Sequence, residues 1–285
     1  MKQQDFRFFH PLRVRWVEVD MQKIVFNAHY LMYFDTAIAD YWRALSLPYQ
    51  EAMAMLGGDL YVKKASVEYH GSAQFDDRLD VALRCAHVGN SSVVFSGAIF
   101  RDGQLLVTCE LVYVFADPVT QTSKTVPGSL RQILQDYELA QPSYKIKTGS
   151  WAELGPDAEQ IRREVFVHEQ KIPVELEWDE ADQTALHAVA YNGLGQIIGT
   201  ARLLAHTAGT AKIGRMAVKR VLRGCSIGRE LLAVLMHAAR QREHQQVVLH
   251  AQCSAQGFYA RAGFVARGEV FKEVDIPHIE MFKTL

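Results

Sequence analysis

The amino-acid sequence predicts a two-domain α+β protein, in which an antiparallel sheet wrapped on a central helix is followed by a mixed sheet flanked by helices. Three observations predict this class. The 285 residues are about twice the length of an ordinary domain. The first half contains one long amphipathic helical pattern followed by a series of strand patterns. The second half alternates strand patterns with helical patterns.

Composition and charge restrict the class of ligand. Apolar residues make up 49% of the chain and charged residues 22%, which is typical of a folded globular protein. The formal net charge of -1 provides no excess of positive charge for a nucleic acid. We therefore expect a small-molecule ligand and no nucleic-acid partner.

The sequence gives no clear targeting signal and no cysteine pattern typical of a metal site. No apolar run reaches the roughly 18 residues of a membrane span, and the N-terminus does not resemble a secretory signal. The four cysteines are scattered without metal-binding spacing, so we expect reduced thiols and no metal site. These observations predict a cytoplasmic protein without a membrane partner.

The boundary between the domains is expected at residues 140–148. Here Pro142 follows an amphipathic segment from Gly128 to Leu139. Proline ends a helix because its ring lacks an N–H group and disfavours helical geometry at the preceding residue. We therefore expect a first domain over residues 1–142 and a second over residues 143–285.

The first domain is expected to contain one central helix and about five strands. Alternating residues predict a strand from His10 to Val19. Asn27 can cap a helix that reaches Leu45, with apolar residues every three or four positions. Gly89-Asn90 and Asp102-Gly103 predict hairpin turns. The further strands are expected at Leu60 to Tyr69, Leu79 to Val88, Ser91 to Phe100 and Leu105 to Phe115.

The second domain is expected to alternate strands and helices. A helix is predicted from about Pro156 to Glu169, with proline in the first turn. A longer helix is predicted from Ile227 to Glu243, and a short one from Ala255 to Ala262. The strands are expected at Tyr144 to Thr148, His187 to Tyr191, Gln196 to Leu204, Ala211 to Val218 and Val247 to Ala251, with further strands after Phe264.

Asp20 is the first candidate catalytic residue, because it lies between a predicted strand and the N-terminus of the predicted central helix. Free backbone amides at a helix N-terminus attract negative charge. They could stabilise the oxyanion of a thioester carbonyl while Asp20 activates water or attacks directly. The alternative is that Asp20 only interacts favourably with the helix dipole.

The segment from Asp20 through Asn27, His29 and Tyr30 resembles the 4-hydroxybenzoyl-CoA thioesterase group of hotdog-fold acyl-CoA thioesterases. The resemblance covers about residues 8 to 140. It implies that Asp20 is catalytic, that Asn27 and His29 contact an acyl-CoA substrate, and that the domain forms a homodimer or homotetramer. Lys23 departs from the family, which usually has glycine there.

Two further side chains near Asp20 leave alternatives open. Glu18 is a second carboxylate, for which a solvated or core-rim position is favoured over catalysis. His29 could contact substrate, or it could form a hydrogen bond with a neighbouring strand.

A second candidate site follows the predicted strand that ends at Val218. The loop from Arg223 to Gly228 leads into a helix, and successive backbone N–H groups there would suit a pyrophosphate. The loop lacks the patterns of a P-loop and of a dinucleotide-binding fold. By itself, a helix entry of small residues requires no ligand.

The run from Ala251 to Phe264 resembles the second motif of the GNAT acetyltransferases, and Arg223 to Gly228 resembles their first. Ser226 replaces the middle glycine of the first motif, and its amide remains usable if its φ is negative. The resemblance covers about residues 145 to 285 and implies acetyl transfer from acetyl-CoA to an amine. Tyr259 would protonate the CoA thiolate. The implied CoA-binding residues are Met216, Ala217, Val218, Arg223, Gly224, Cys225, Ser226, Ile227 and Gly228.

The general base of this second reaction stays open, since ordered water could deprotonate the amine. The candidates are Glu169, Glu177, Asp179, His187 and Glu273. Together the two resemblances imply a bifunctional enzyme that uses acyl-CoA and acetyl-CoA, with an acceptor amine of unknown identity. The alternative is a thioesterase whose GNAT domain binds acetyl-CoA without catalysis and regulates the first domain.

Overall fold

The computed structural model describes all residues from Met1 to Leu285. The chain divides into two compact units, Met1–Ser143 and Tyr144–Leu285. None of its helices combines the length and the apolar character needed to cross a membrane.

The first unit is an antiparallel sheet packed on a long helix, as predicted. The strand order is β1-β3-β4-β5-β2, and every neighbouring pair is antiparallel. The strands are β1 (Phe8–Arg13), β2 (Asp59–Tyr69), β3 (Arg78–Val88), β4 (Ser92–Arg101) and β5 (Gln104–Ala116). The helices are α1 (Asn27–Ala44), α2 (Tyr49–Leu56) and α3 (Gly128–Glu138).

Helix α1 packs against the sheet through an aromatic face. The Tyr41 ring contacts the rings of Phe8 on β1 and Phe95 on β4, with ring centroids 5.4 Å apart in both pairs. Phe34 approaches β4 so closely that a Cβ atom on Gly97 would lie 2.5 Å from its Cε1 atom. Glycine at position 97 therefore allows the helix to lie against the sheet.

The segment before α1 differs from the prediction. Strand β1 ends at Arg13, and a short 3₁₀-helix, Trp16–Glu18, replaces the second half of the predicted strand. The cause is Glu18, which is 1% exposed and accepts hydrogen bonds from the Arg15 backbone N at 2.7 Å and from the Tyr33 hydroxyl at 2.8 Å. Of the two positions favoured for Glu18, solvated or at the core rim, the solvated one is therefore wrong, because the residue is buried.

Two details of the helices in this unit also differ from the prediction. Asn27 is the first residue of α1 and not its cap, because Phe26 occupies the N-cap position. Helix α2 was not expected at all. Pro48 precedes it and Gly57 ends it with φ of +68°. These residue types commonly mark the ends of a helix.

The second unit is a mixed sheet with helices on both faces, as predicted. The strand order is β11-β12-β10-β9-β8-β7-β6, in which only β9 and β10 are parallel neighbours. The strands are β6 (Tyr144–Gly149), β7 (Leu186–Asn192), β8 (Ile197–Thr207), β9 (Thr210–Val218), β10 (Gln246–Gln252), β11 (Val265–Glu273) and β12 (Ile276–Thr284). The helices are α4 (Trp151–Arg162), α5 (Val174–Glu177), α6 (Ile227–Gln241) and α7 (Gln256–Arg261).

Strand β7 shows why helices cover both faces of this sheet. Ala188 and Ala190 are buried in the cluster that contains the apolar face of α6. Val189 and Tyr191, which point the other way, are buried in the cluster that contains α4. A strand that is apolar on both faces needs a helical layer on each side.

Helix α4 begins five residues earlier than predicted. Ser150 and Glu153 form a capping box, so the helix starts at Trp151 and Pro156 lies inside it, not in its first turn. The helix continues as a π-helix over Arg163–Glu169.

Strands β9 and β10 pair over only three positions, from Gln246↔Thr210 to Val248↔Lys212. Beyond Lys212, β9 remains paired with β8 alone. The register of that pair shifts near Arg215, whose φ is +51°. The result is an opening between two neighbouring strands in the middle of the sheet.

Candidate functional site

A continuous groove occupies the opening between β9 and β10. It consists of a cavity of about 720 Å³ beside residues 212–218 and a second of about 470 Å³ beside residues 222–229. Both cavities share Met216, Val218, Arg223, Ala255 and Tyr259 in their walls. The two candidate motifs of the second half of the chain therefore meet at one site.

The loop before α6 contains two residues in the left-handed conformation. Gly224 has φ of +89° and Ser226 has φ of +66°. The condition under which the Ser226 amide would remain usable, a negative φ, is therefore not met. Serine adopts the left-handed conformation at a cost of about 1 kcal/mol. The first N–H groups of α6 lack intrahelical partners, as in every helix, and they lie at this loop.

Most of the predicted CoA-binding residues line the groove. Met216, Ala217, Val218, Arg223, Gly224, Ser226, Ile227 and Gly228 all contribute to its walls. Cys225 does not, because its side chain packs against the apolar core and its backbone N donates to the Leu222 carbonyl at 3.2 Å. The structure thus separates Cys225 from the other predicted residues.

Tyr259 lies where the two cavities join. Its hydroxyl is 3.5 Å from the Met216 sulfur, and its ring contacts the rings of Phe258 and Phe264. Burial raises the pKa of Tyr259 to about 12. The hydroxyl therefore keeps its proton at neutral pH and can donate it.

Three of the five candidate bases are held by arginines. Glu169 accepts two hydrogen bonds from Arg223, at 2.6 and 2.7 Å. Glu177 accepts one from Arg162 at 2.7 Å, and burial raises its pKa. Asp179 pairs with Arg202 and with Arg215. Each of these carboxylates would have to break an ion pair to reach a substrate.

His187 and Glu273 occupy contrasting environments. His187 is 1% exposed, its Nε2 atom is 2.9 Å from the Asp182 carbonyl oxygen, and it lies outside the groove. Glu273 lines the larger cavity and forms a hydrogen bond with the Nδ1 atom of His250. The Nζ atom of Lys212 lies 3.3 Å from both ring nitrogens of His250.

His250 and Lys212 were not among the candidates from the sequence. His250 is the one partly exposed histidine in a strand of buried apolar residues, Val247, Val248, Leu249 and Ala251. The sequence signal for His250 is a polar residue that interrupts a run of apolar residues in a predicted strand. Its partner Glu273 lies 23 residues further along the chain.

In the first unit, the candidate residues lie on one short hairpin and the start of α1. The Asp20 backbone N donates to the Ile24 carbonyl at 2.9 Å, and the Asp20 Oδ1 atom accepts from the Gln22 backbone N at 2.7 Å. Lys23 has φ of +64°, in the left-handed region that favours glycine. Asp20 is partly exposed beside this turn.

The two predicted substrate-binding residues lie in the first turn of α1. The Asn27 side chain is exposed, and its backbone carbonyl accepts a hydrogen bond from the Tyr69 hydroxyl at 3.2 Å. The Nδ1 atom of His29 is buried without a hydrogen-bond partner. The expected alternative, in which His29 bonds to a neighbouring strand, is not seen at this atom.

Large apolar side chains are exposed around the Asp20 hairpin and along β2. Strand β2 is an edge of the sheet. The Trp16 and Phe75 rings pack together with centroids 5.6 Å apart, although both side chains are largely exposed. The exposed set comprises Trp16, Val17, Met21, Phe26, Leu31, Met32, Tyr61, Val62, Tyr69 and Phe75.

The two units define a two-domain protein of the hotdog and GNAT fold classes, and comparison with known proteins gives the families. Residues 152–285 match the family model described as "Acetyltransferase (GNAT) domain". Residues 22–108 match the model "Thioesterase superfamily". The chain belongs to the GNAT acetyltransferases through its second unit, and its first unit is similar to the thioesterase superfamily over residues 22–108.

Individual relatives each correspond to one half of the chain. The uncharacterized N-acetyltransferase YjcF of Bacillus subtilis is 34% identical over 128 residues, which cover 45% of this chain and 90% of the relative. The acyl-CoA thioester hydrolase YbgC of Escherichia coli is 27% identical over 124 residues, which cover 43% of this chain and 92% of the relative. A solved acyl-CoA N-acyltransferase from Pseudomonas aeruginosa is 36% identical, covers 50% of this chain and 99% of its own, and has a TM-score of 0.45.

Proposed function

We propose that this chain is a bifunctional CoA-thioester enzyme, with a hotdog domain over residues 1–142 that hydrolyses acyl-CoA and a GNAT domain over residues 143–285 that acetylates an amine. The observation that carries the second activity is the groove, in which Tyr259, the exposed edge of β9 and the loop before α6 meet. These three features provide a proton donor, backbone amides and an anion site.

In the second domain, acetyl-CoA is the substrate that the groove suits. The loop from Arg223 to Gly228 and the first amides of α6 would hold the pyrophosphate. The edge of β9 near Met216 and Val218 has no partner strand on the β10 side, so its backbone groups are available to the acetyl oxygen. When the C–S bond breaks, Tyr259 would donate its proton to the departing thiolate.

In the first domain, the mechanism rests on Asp20. Its backbone is fixed by the hairpin, which leads into α1 at Asn27. A thioester carbonyl near the first amides of α1 would gain electrostatic stabilisation as it becomes an oxyanion. Asp20 would activate water or attack the carbonyl, and Asn27 and His29 would contact the substrate.

The exposed apolar residues of the first unit support self-association through this domain. An edge strand that leaves its backbone groups unpaired and carries Tyr61 and Val62 on its surface is suited to pair with a second copy. We propose a homodimer or a homotetramer built on this surface.

Two single-site variants of the full chain separate the two activities. Asp20→Asn should lower CoA release from acyl-CoA thioesters about 100-fold or more while amine acetylation persists. Tyr259→Phe should lower amine acetylation about 100-fold while hydrolysis persists. Thiol release and mass-spectrometric detection of acetylated amines measure the two reactions. If either variant leaves its own reaction unchanged, that residue assignment is wrong.

One observation favours the alternative in which the GNAT domain only binds acetyl-CoA. Ser226 takes the place of a glycine and holds a left-handed conformation, a departure within the loop that would bind pyrophosphate. Acetyl-CoA binding without transfer to any primary amine in a broad panel, together with a hydrolysis rate that depends on that binding, would favour the regulatory role.

A further inference from the structure

A histidine and a carboxylate that have no role in the reaction proposed above line the larger cavity. His250 on β10 and Glu273 at the end of β11 both line it, together with Tyr259. The Nδ1 atom of His250 forms its hydrogen bond with Glu273. A histidine whose Nδ1–H is held by a carboxylate carries its lone pair on Nε2, which can accept a proton. The Nζ atom of Lys212 lies 3.3 Å from the Nε2 atom of His250, so an amine would have to displace this lysine to reach it.

We propose that His250 is the general base that deprotonates the acceptor amine, with Glu273 as the residue that positions its ring. This inference rests on the acetyltransferase function proposed above. It extends that function by naming the site of the acceptor, a primary amine bound in the larger cavity on the β10 side of Tyr259.

The position of His250 along the opening suits this role. His250 lies two residues beyond Val248, where the pairing of β9 and β10 ends, and two before Gln252, whose side chain reaches Gln170. His250 and the open edge of β9 line the same cavity, so an amine bound in that cavity can lie between them.

The other acidic groups of the cavity are less suited to be the base. Glu177 and Asp179 are paired with arginines, whereas the partner of Glu273 is His250 itself. The charged groups that face His250 are Glu273 from β11, Lys212 from β9, and Glu280, which lies opposite on β12 and is bound by Arg267. Burial lowers the pKa of Lys212, which makes this lysine the competing candidate.

His250 and Tyr259 together account for every proton that moves in the reaction. A protonated amine loses one proton to His250, and the free amine attacks the thioester carbon. The C–S bond breaks with its electron pair on sulfur, which takes the proton of Tyr259. The new amide nitrogen loses its second proton, which restores Tyr259, and His250 releases the first to solvent.

The test compares His250→Gln with His237→Gln in the full chain. His237 is exposed on α6 and lines neither cavity of the groove. We expect His250→Gln to lower kcat for acetylation of a primary alkylamine about 100-fold at pH 7, and the His237 control to stay within about threefold. Acetyl-CoA affinity, measured by calorimetry, should be unchanged in both variants.

The dependence of the His250→Gln rate defect on pH and on the acceptor distinguishes a general base from a residue with a structural role. Near pH 10, about a quarter of a primary amine with a pKa of about 10.4 is deprotonated without help, against less than about 0.1% at pH 7. The defect of His250→Gln should therefore shrink to a few-fold at that pH. It should also be small at pH 7 with hydroxylamine, which is already unprotonated. Glu273→Gln should show a smaller loss of about tenfold at pH 7, with the same recovery at high pH.

The outcomes separate a failure of the proposed acetyltransferase function from a failure of the assignment of His250 as the base. If the unmodified chain acetylates no amine, the proposed function fails and this inference fails with it. If it acetylates an amine but His250→Gln retains the full rate, or loses the same factor at every pH and with hydroxylamine, the inference alone is wrong. A loss in Lys212→Gln without a loss in His250→Gln would assign the base to Lys212 and overturn the proposal.

Discussion

Replacement of Gly228 by glutamate should weaken CoA binding in the second unit without weakening the fold. Gly228 lies in the first turn of α6, and a Cβ atom there would meet Phe258 at 3.5 Å and Val218 at 3.7 Å. Both are ordinary van der Waals distances, so a side chain fits. A carboxylate near a helix N-terminus stabilises the helix by about 0.3–1 kcal/mol, and removal of glycine from a helix adds up to about 1 kcal/mol.

The same carboxylate would lie where the pyrophosphate is proposed to bind. Two unit charges about 5 Å apart interact by about 3 kcal/mol at an effective dielectric constant of 20. That energy corresponds to roughly 150-fold weaker binding. Gly228→Ala, which adds the Cβ atom without charge, should bind CoA within a few-fold of the unmodified chain.

Isothermal titration of the full chain with CoA at about 0.1 M salt measures this effect, and the site in the hotdog domain is an internal reference. Thermal melting checks that neither variant has lost stability. If Gly228→Glu is as stable as Gly228→Ala and binds CoA as tightly at the second site, the loop does not hold the pyrophosphate.

Two further predictions concern stability and assembly. Arg162→Met should destabilise the second unit by about 3–5 kcal/mol in scanning calorimetry, because Glu177 and Asp182 would lose a partner that is 1% exposed. Arg163→Met breaks the ion pair with Glu159, in which both side chains are 42% exposed, and should lower the free energy of unfolding by less than about 1 kcal/mol. Equal losses of stability in the two variants would contradict the account of the buried network. Val62→Glu should shift the chain towards the monomer in sedimentation, since charge blocks edge-strand pairing; an unchanged oligomer would exclude β2 from the interface.

The sequence predicted the regular elements where pattern and turn chemistry agreed. The four strands from Asp59 to Ala116 begin and end within one residue of their predicted ends. The turn at Asp102-Gly103 has positive φ at both residues, of 49° and 81°, as its composition indicated. Helix α1 followed from its apolar spacing. In these segments local preference and tertiary packing favour the same structure.

The errors arose where a single side chain decided the backbone. The alternation from His10 to Val19 is real, but the buried carboxylate of Glu18 folds Trp16–Glu18 into a 3₁₀ turn. The sequence contains a capping box, Ser150 and Glu153, that begins α4 five residues before Pro156. Proline in a first turn is a tendency, whereas a capping box supplies two specific hydrogen bonds.

The sequence predicts which residues form the candidate site, but not which charged residues in it pair with one another. The loop residues and Tyr259 follow from local motifs, and they meet in one groove. The partner of each charged residue depends on long-range contacts, such as Asp179 with Arg215 or Glu273 with His250. No spacing in the sequence reveals these contacts, so the general base could not be chosen from the sequence.

The central claim is that one chain holds two separate CoA sites. The most direct test is the number of CoA molecules bound per chain by the full-length protein, measured by equilibrium dialysis with labelled CoA. The account predicts two per chain, and one per chain in Gly228→Glu at CoA concentrations that saturate the hotdog site. A value of one or zero for the unmodified chain at saturation would contradict it.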